Sequence, residues 1–256
     1  MEEVKKFYDI YNYPNLKLYT YRQKRNHKKL ILKILSYINF SPKDLKNKDV
    51  LDFGCGTGDK SIFFAEYFAN VTSIDFSKGQ LSVLNKKIKE NNIKNITVYQ
   101  KDLIKDDLCF LKKYDIIFCI GVLHHTENPY LGFEKLTKLL KPNGIILIAL
   151  YHRYSRIRFR IIRFFLKNLI SKDFNKLYKW FFSSKKTFFL RKNVSKNTLY
   201  DRYIVPYESY HSLKEVKKWF FKNNIFFLKC SENVKGFEFF KIFEKKTLFF
   251  VSGIKK

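Results

Sequence analysis

The chain has 256 residues, 46% of them hydrophobic, enough for one large core with extensions and too few for two full-sized domains. Its formal net charge is +28, yet alanine occurs only at Ala65, Ala69 and Ala149 while Lys, Asn, Ile, Phe and Tyr abound, the pattern an AT-rich genome writes; function and codon bias are both open as its source, and the charge assigns no polyanionic partner by itself. The cysteines, Cys55, Cys109, Cys119 and Cys230, lie too far apart for a disulfide scaffold or a zinc site, so no metal is expected and a cytoplasmic location is.

Residues 1–47 read as an N-terminal helical and aromatic extension. Aromatic turns are expected around Tyr8-Asp9-Ile10-Tyr11-Asn12-Tyr13-Pro14, and a helix over 27–38. The first residues lack the apolar core of a signal peptide, and no uncharged apolar run reaches the length of a membrane span.

From Lys48 onward short apolar runs alternate with helical patterns, the signature of crossover units building a parallel sheet. Strands are expected at 49–53, 71–75, 96–99, 115–120 and 144–150, mostly apolar throughout, as strands covered on both faces should be. Helices fill the gaps. One covers 60–68, and Ser77 caps another over 78–91, with Leu81, Leu84 and Ile88 on one face. A third, over 133–140, ends at Lys141-Pro142-Asn143-Gly144, which turns the chain into the next strand. Regular alternation then lapses. Residues 151–212 read as a basic, aromatic lid insertion, after which a helix over 213–223 and strands over 225–229 and 247–252 return to the sheet.

The first strand ends in Asp52 and runs into Gly54-Cys55-Gly56-Thr57-Gly58 before a helix. Open α/β sheets bind ligands at such a turn. Glycines there adopt positive φ without steric cost and admit close approach to the backbone, while the helix N-terminus favours a negative group. Asp75 ends the second strand, where a carboxylate can accept hydrogen bonds from ribose hydroxyls. A dinucleotide fingerprint needs G-x-G-x-x-G, and here the third glycine comes one residue early. Gln100-Lys101-Asp102-Leu103 follows the third strand, and the fourth opens into Gly121-Val122-Leu123-His124-His125.

With these four motifs in order, residues 48–151 resemble the cofactor domain of class I S-adenosylmethionine-dependent methyltransferases, in particular the group containing ubiquinone and menaquinone biosynthesis enzymes. The resemblance implies a three-layer, doubly wound α/β fold with a mostly parallel, Rossmann-like seven-stranded sheet, spanning 48–256. It implies that Asp52, Gly54, Gly56 and Gly58 hold the methionine part of the cofactor, Asp75 and Phe76 the ribose side, and Asp102 with Leu103 the adenine. The family's Lys-Pro-Gly-Gly turn is here Lys-Pro-Asn-Gly, a mild departure because Asn tolerates left-handed geometry.

Methyl transfer from a sulfonium is an in-line displacement, helped by a base when the acceptor is a hydroxyl. His124 and His125 are candidates for that base, as is His211 in Pro206-Tyr207-Glu208-Ser209-Tyr210-His211-Ser212. The bland alternatives are a His-His pair that shapes the loop and a polar segment that only starts a helix. No Asn-Pro-Pro-Tyr or Asp-Pro-Pro-Tyr follows the fourth strand, and Cys119 has no adjacent proline, which disfavours nucleobase acceptors.

Five of the nine arginines lie between Arg153 and Arg163. Read as a helix, Arg156, Arg160 and Arg163 fall on one side and Ile157, Ile161, Phe164 and Phe165 on another, with Trp180-Phe181-Phe182 downstream. Such a segment suits a solvated lid, an anionic acceptor, peripheral contact with an anionic inner membrane through Arg153 to Trp180, or, least, a nucleic-acid backbone. The leading expectation is a small or lipid-like acceptor methylated at oxygen or carbon. The rivals are an RNA methyltransferase and an inactive RNA- or membrane-binding module on the same fold.

Overall fold

The computed structural model describes residues 2–10, 21–165, 205–231 and 247–256, together with Asn168, Lys176, Trp180 and Tyr203. Tyr11 to Pro14 of the aromatic segment, and Phe181 with Phe182 of the expected lid, lie outside the described residues.

Seven strands form one sheet: β1 (Asp49–Phe53), β2 (Asn70–Asp75), β3 (Ile96–Gln100), β4 (Tyr114–Ile120), β5 (Leu140–Tyr151), β6 (Ile225–Cys230) and β7 (Leu248–Lys255). Their order is β3-β2-β1-β4-β5-β7-β6. The first five pair in parallel, and β7 runs antiparallel to both β5 and β6. This is the mostly parallel, doubly wound sheet expected from the alternating pattern.

Alternation along the central strands splits the core into two layers. Leu51 and Phe53, Ile117 and Cys119, and Ile146 and Ile148 face one side with Phe133, Leu136, Trp219 and Phe220. These last residues belong to α5 (Pro129–Lys138) and α7 (Leu213–Lys222). Val50, Ile116, Phe118, Ile145 and Leu147 face the other side with Phe63 and Phe64 of α3 (Asp59–Glu66) and with Ile31, Ile34 and Leu35 of α2 (Tyr21–Ser36). Period-two alternation therefore buries both faces of the same strands. Stacked aromatic pairs mark each layer, Phe64 on Phe118 at 4.6 Å and Phe133 on Phe220 at 5.0 Å. On the β2 side α4 (Lys78–Glu90) starts at Ser77, whose hydroxyl accepts from Gln80 N at 3.2 Å.

Several boundaries depart from the sequence reading for identifiable reasons. The N-terminal extension shares the core, since α2 starts at Tyr21 and buries Ile31, Ile34 and Leu35. Residues 2–10 form helix α1 (Glu2–Ile10), where aromatic turns were expected from Tyr8 onward; burial of Val4 and Phe7 fixes it. Helix α5 begins at Pro129, four residues before the expected start, because Asn128 Oδ1 accepts from Leu131 N at 3.0 Å and proline fits the first helical turn. The Lys141-Pro142-Asn143-Gly144 turn sits inside β5. Between the pairs Tyr114–Leu140 and Ile116–Ile145 strand β5 takes a longer path than β4, and Asn143 absorbs the bulge at φ 61°.

Candidate active site

The strand order reverses between β1 and β4, and the glycine loop lies at the carboxyl end of β1, beside that switch point. Gly54 N and Cys55 N both donate to Ile74 O, at 2.7 and 3.0 Å, which ties the loop to β2. Gly54 has φ +70°, and a Cβ there would lie 2.0 Å from Val122 Cγ2; the close approach that requires glycine is made by the loop after β4. Gly58, at φ +77°, caps α3 and is packed in the same way against Leu84.

Asp75 closes the loop from the β2 side. Its carboxylate accepts from Gly56 N at 2.9 Å and from Ser77 N at 3.0 Å. Burial raises its pKa to about 6 in spite of those two bonds, which act in the opposite direction.

A cavity of about 550 Å³ opens over these elements. Of the residues singled out in the sequence, Gly54, Gly56, Asp75, Phe76, Asp102, Leu103 and His125 line it. Asp102 turns its Oδ1 onto Ile104 N at 2.8 Å and Lys105 N at 3.2 Å, an Asx turn that shapes this end of the wall. Asp52, Gly58, His124 and His211 are not among the lining residues. Asp52 is fully buried, accepts from Ser61 Oγ at 2.8 Å and lies 3.6 Å from Lys60 Nζ, so it anchors α3 and the lining residue Lys60 from behind.

The three histidines differ in kind. His125 lines the cavity and its Nδ1 lies 2.8 Å from Tyr207 O. A carbonyl only accepts, so Nδ1 carries the proton, and in the neutral ring Nε2 holds the lone pair. His124 is buried, and neither ring nitrogen has a hydrogen-bond partner among the described residues. Burial, reinforced by His125, Arg156 and His211, holds its pKa well below the ordinary value, and its ring packs tilted against Tyr151, with centroids 3.8 Å apart. His211 is bonded to Ser209 Oγ and to Glu215 Oε1, each at 2.8 Å. Glu215 and Ser212 form the capping box of α7, so His211 braces a helix start.

Sequence reasoning missed several lining residues: Tyr8 and His27 from the N-terminal helices, Lys60 and Tyr151; Arg156, singled out in the arginine cluster, lines the cavity as well. Tyr8 is set between Phe76 and His125, with ring centroids 6.2 and 6.0 Å away. Asp9 pins it there, accepting from Ser77 Oγ at 2.7 Å and from Gly79 N at 3.2 Å. Those contacts span about seventy residues of chain, and no local pattern announces them. The arginine cluster also needs correction. Arg156 and Arg163 are 1% and 6% exposed, against the solvated and membrane-facing readings of that side, while the reading of an anionic acceptor is left standing. In helix α6 (Ile157–Phe165) and its lead-in, both turn inward onto Glu208, leaving Arg158 and Arg160 outside.

The profile of a family described as a methyltransferase domain matches residues 44–224, covering the glycine loop, Asp75, Asp102 and the histidine loop together. The chain belongs to that family. It is a class I S-adenosylmethionine-dependent methyltransferase domain in fold and in family. Among curated relatives, it is 36% identical over 133 residues to the ubiquinone biosynthesis O-methyltransferase of Glaesserella parasuis serovar 5 (strain SH0165), covering 50% of this chain and 56% of that protein. The Rickettsia canadensis (strain McKiel) enzyme of the same name is 32% identical over 127 residues, 50% of this chain and 51% of that one. The chain thus spans about half the length of these relatives. Among solved structures, magnesium protoporphyrin IX methyltransferase from Synechocystis PCC 6803 with bound S-adenosylhomocysteine superposes with a TM-score of 0.59 at 15% identity, covering 99% of this chain and 100% of that one. PKMT2 from Rickettsia typhi gives 0.64 at 19% identity, over 90% of this methyltransferase domain and 53% of that chain.

Proposed function

We propose that the protein transfers a methyl group from S-adenosylmethionine to oxygen or carbon of a small or lipid-like acceptor. One observation carries this reading: a single cavity runs from the Asp75 carboxylate and Phe76 to His125, Tyr151 and Arg156, so cofactor and acceptor would share one space. Its volume falls in the range of small-molecule sites.

The residues present fit the cofactor. The Asp75 carboxylate ends β2, where a nucleoside's ribose can be held, and the first turn of α3 suits a carboxylate through its backbone N–H groups, those of Gly54, Cys55, Gly56 and Gly58 being used within the loop. Gly54 and Gly56 would border its methionine part, Asp75 and Phe76 its ribose, and Asp102 with Leu103 its adenine. When bound, the cofactor supplies an electrophilic methyl on a sulfonium. The chain's own work is to hold the acceptor in line with that carbon, keep water out and take a proton where the acceptor carries one.

His125 is the residue suited to that proton. Its Nδ1–H is held by Tyr207 O, which leaves Nε2 as the basic nitrogen. His124 and His211 serve instead as packing and bracing groups behind it. Calorimetry with S-adenosylmethionine tests the cofactor half: binding by wild type that is lost in Asp75→Ala supports it, and absence of wild-type binding overturns it. For the base, His125→Gln is expected to lower kcat by about 10²–10⁴ on a hydroxyl acceptor with little change in cofactor affinity, whereas His211→Gln lowers stability first.

A peripheral membrane contact has a narrower basis than the sequence offered. Among the described residues no helix is long and apolar enough to cross a membrane. The outer side of α6 nevertheless presents Ile161, Phe164 and Phe165, each more than half exposed, beside Arg158 and Arg160. That combination suits an anionic lipid surface. Co-sedimentation with anionic vesicles that survives Phe164→Glu would remove it.

A further inference from the structure

A buried ionic cluster walls the acceptor end of the cavity, and methyl transfer as described above has no use for it. Arg156 lines that end while almost wholly buried. Its guanidinium carbon lies 3.6 Å from the centroid of the Tyr151 ring, and Tyr151 in turn lies 5.6 Å from His125. Three groups converge on Glu208 from behind the wall: Arg156 through Nη2, Arg163 through Nε at 3.6 Å, and the Tyr210 hydroxyl at 2.7 Å. Arg163 also donates to Val205 O at 2.6 Å, which fixes the segment carrying Glu208.

An ion pair taken out of water is a poor stability device, since well-packed apolar residues of the same volume commonly do as well or better. Here the pair does what apolar residues could not. It presents a guanidinium, set over an aromatic ring, to a cavity whose lining also includes the apolar residues Ile120, Val122, Leu248 and Phe250. The planar fork of arginine matches a carboxylate, and such charge-assisted bonds are about twice as strong as neutral ones. Glu208 sits behind the wall and divides its charge between two guanidinium groups, so the face turned to the cavity is that of Arg156. Glu127 also borders the cavity but is exposed, where water and salt screen it.

We propose that Arg156 is the counter-ion of the acceptor, and that the acceptor is an apolar or aromatic molecule carrying a carboxylate. This rests on the reading of the cavity as a shared cofactor and acceptor site. Glu208 is a positioning residue that holds the guanidinium in place and moderates its charge.

The test uses the full chain saturated with S-adenosylhomocysteine and two matched pairs of probes, naphthoate against naphthamide and decanoate against decanol, titrated by calorimetry. In at least one pair the anion should bind about tenfold or more tightly than its neutral partner. Arg156→Gln should abolish that preference, Arg156→Lys should retain part of it, and Glu208→Gln, which removes the competing carboxylate, should strengthen it. Opposite signs for Arg156→Gln and Glu208→Gln are not produced by a merely structural pair. Equal binding of anion and neutral partner, a preference that survives Arg156→Gln, or no binding of any probe overturns the proposal. If S-adenosylhomocysteine itself fails to bind, the reading of the cavity falls first and this inference with it.

Discussion

At the scale of single residues, Asp75 sets a pH dependence. Its pKa of about 6 lies above the ordinary aspartate value because burial disfavours the charged form. The sign follows directly. For the cofactor-free protein, this group's contribution to stability is fully present below the ordinary aspartate pKa and is lost as pH rises through about 6. For the cofactor the proposed role of Asp75 as acceptor for the ribose hydroxyls reverses the direction, because those hydroxyls need the ionised carboxylate. Affinity for S-adenosylmethionine is expected to be full above neutrality and to weaken as pH falls through about 6, approaching tenfold per pH unit; calorimetry between mildly acidic and neutral pH checks it. Gly54 supports a stability prediction. Gly54→Ala combines a left-handed backbone with a Cβ placed 2.0 Å from Val122 Cγ2, and is expected to cost about 3 kcal/mol in urea unfolding. Gly54 and Asp75 were legible in the sequence because strand, turn and spacing are local. Tyr8 was not, and Arg156 was named with its role left open, because what gives them meaning, His125 and Glu208, lies far along the chain.

At the scale of elements, the N-terminal extension that the sequence treated as an accessory forms a wall of the cavity, through Tyr8 of α1 and His27, Leu30, Ile31 and Ile34 of α2. Helix α1 lays Tyr8 over the junction between Phe76 and His125 and is latched to the start of α4 by Asp9. Asp9→Ala removes two hydrogen bonds at a helix N-terminus, one of them from a backbone N–H, worth roughly 1–2 kcal/mol together. The expected result is faster hydrogen exchange across residues 2–10 and a raised KM for S-adenosylmethionine, with the circular dichroism of the sheet unchanged. Helix α6 shows why an amphipathic pattern is ambiguous. Arginine on one side of a helix reads as solvated until a partner such as Glu208 appears across from it, and that partner lies in the 205–211 return segment. The position of α5 was misjudged for a smaller reason: Asn128-Pro129 is a cap and first turn, and a pattern based on apolar periodicity begins only at Phe133.

At the scale of the whole molecule, α2, the sheet and α7 bury two continuous layers, so cofactor binding should be felt as global stability. A ligand at a hundred times its Kd adds about 2.7 kcal/mol, equivalent to a rise in Tm of about 5–10 °C for a chain of this size; scanning fluorimetry should show it for wild type and not for Asp75→Ala. The sequence by itself determined the order of strands and helices, the parallel core and the glycine turn with Asp75, because alternation, turn residues and spacing act over a few neighbouring residues. Only the tertiary structure decided which histidine meets the cavity, that Asp52 and His211 brace it from behind, and that Arg156 and Arg163 point inward. Those outcomes depend on burial and on partners brought together across the fold, and neither quantity exists in the chain until it has folded.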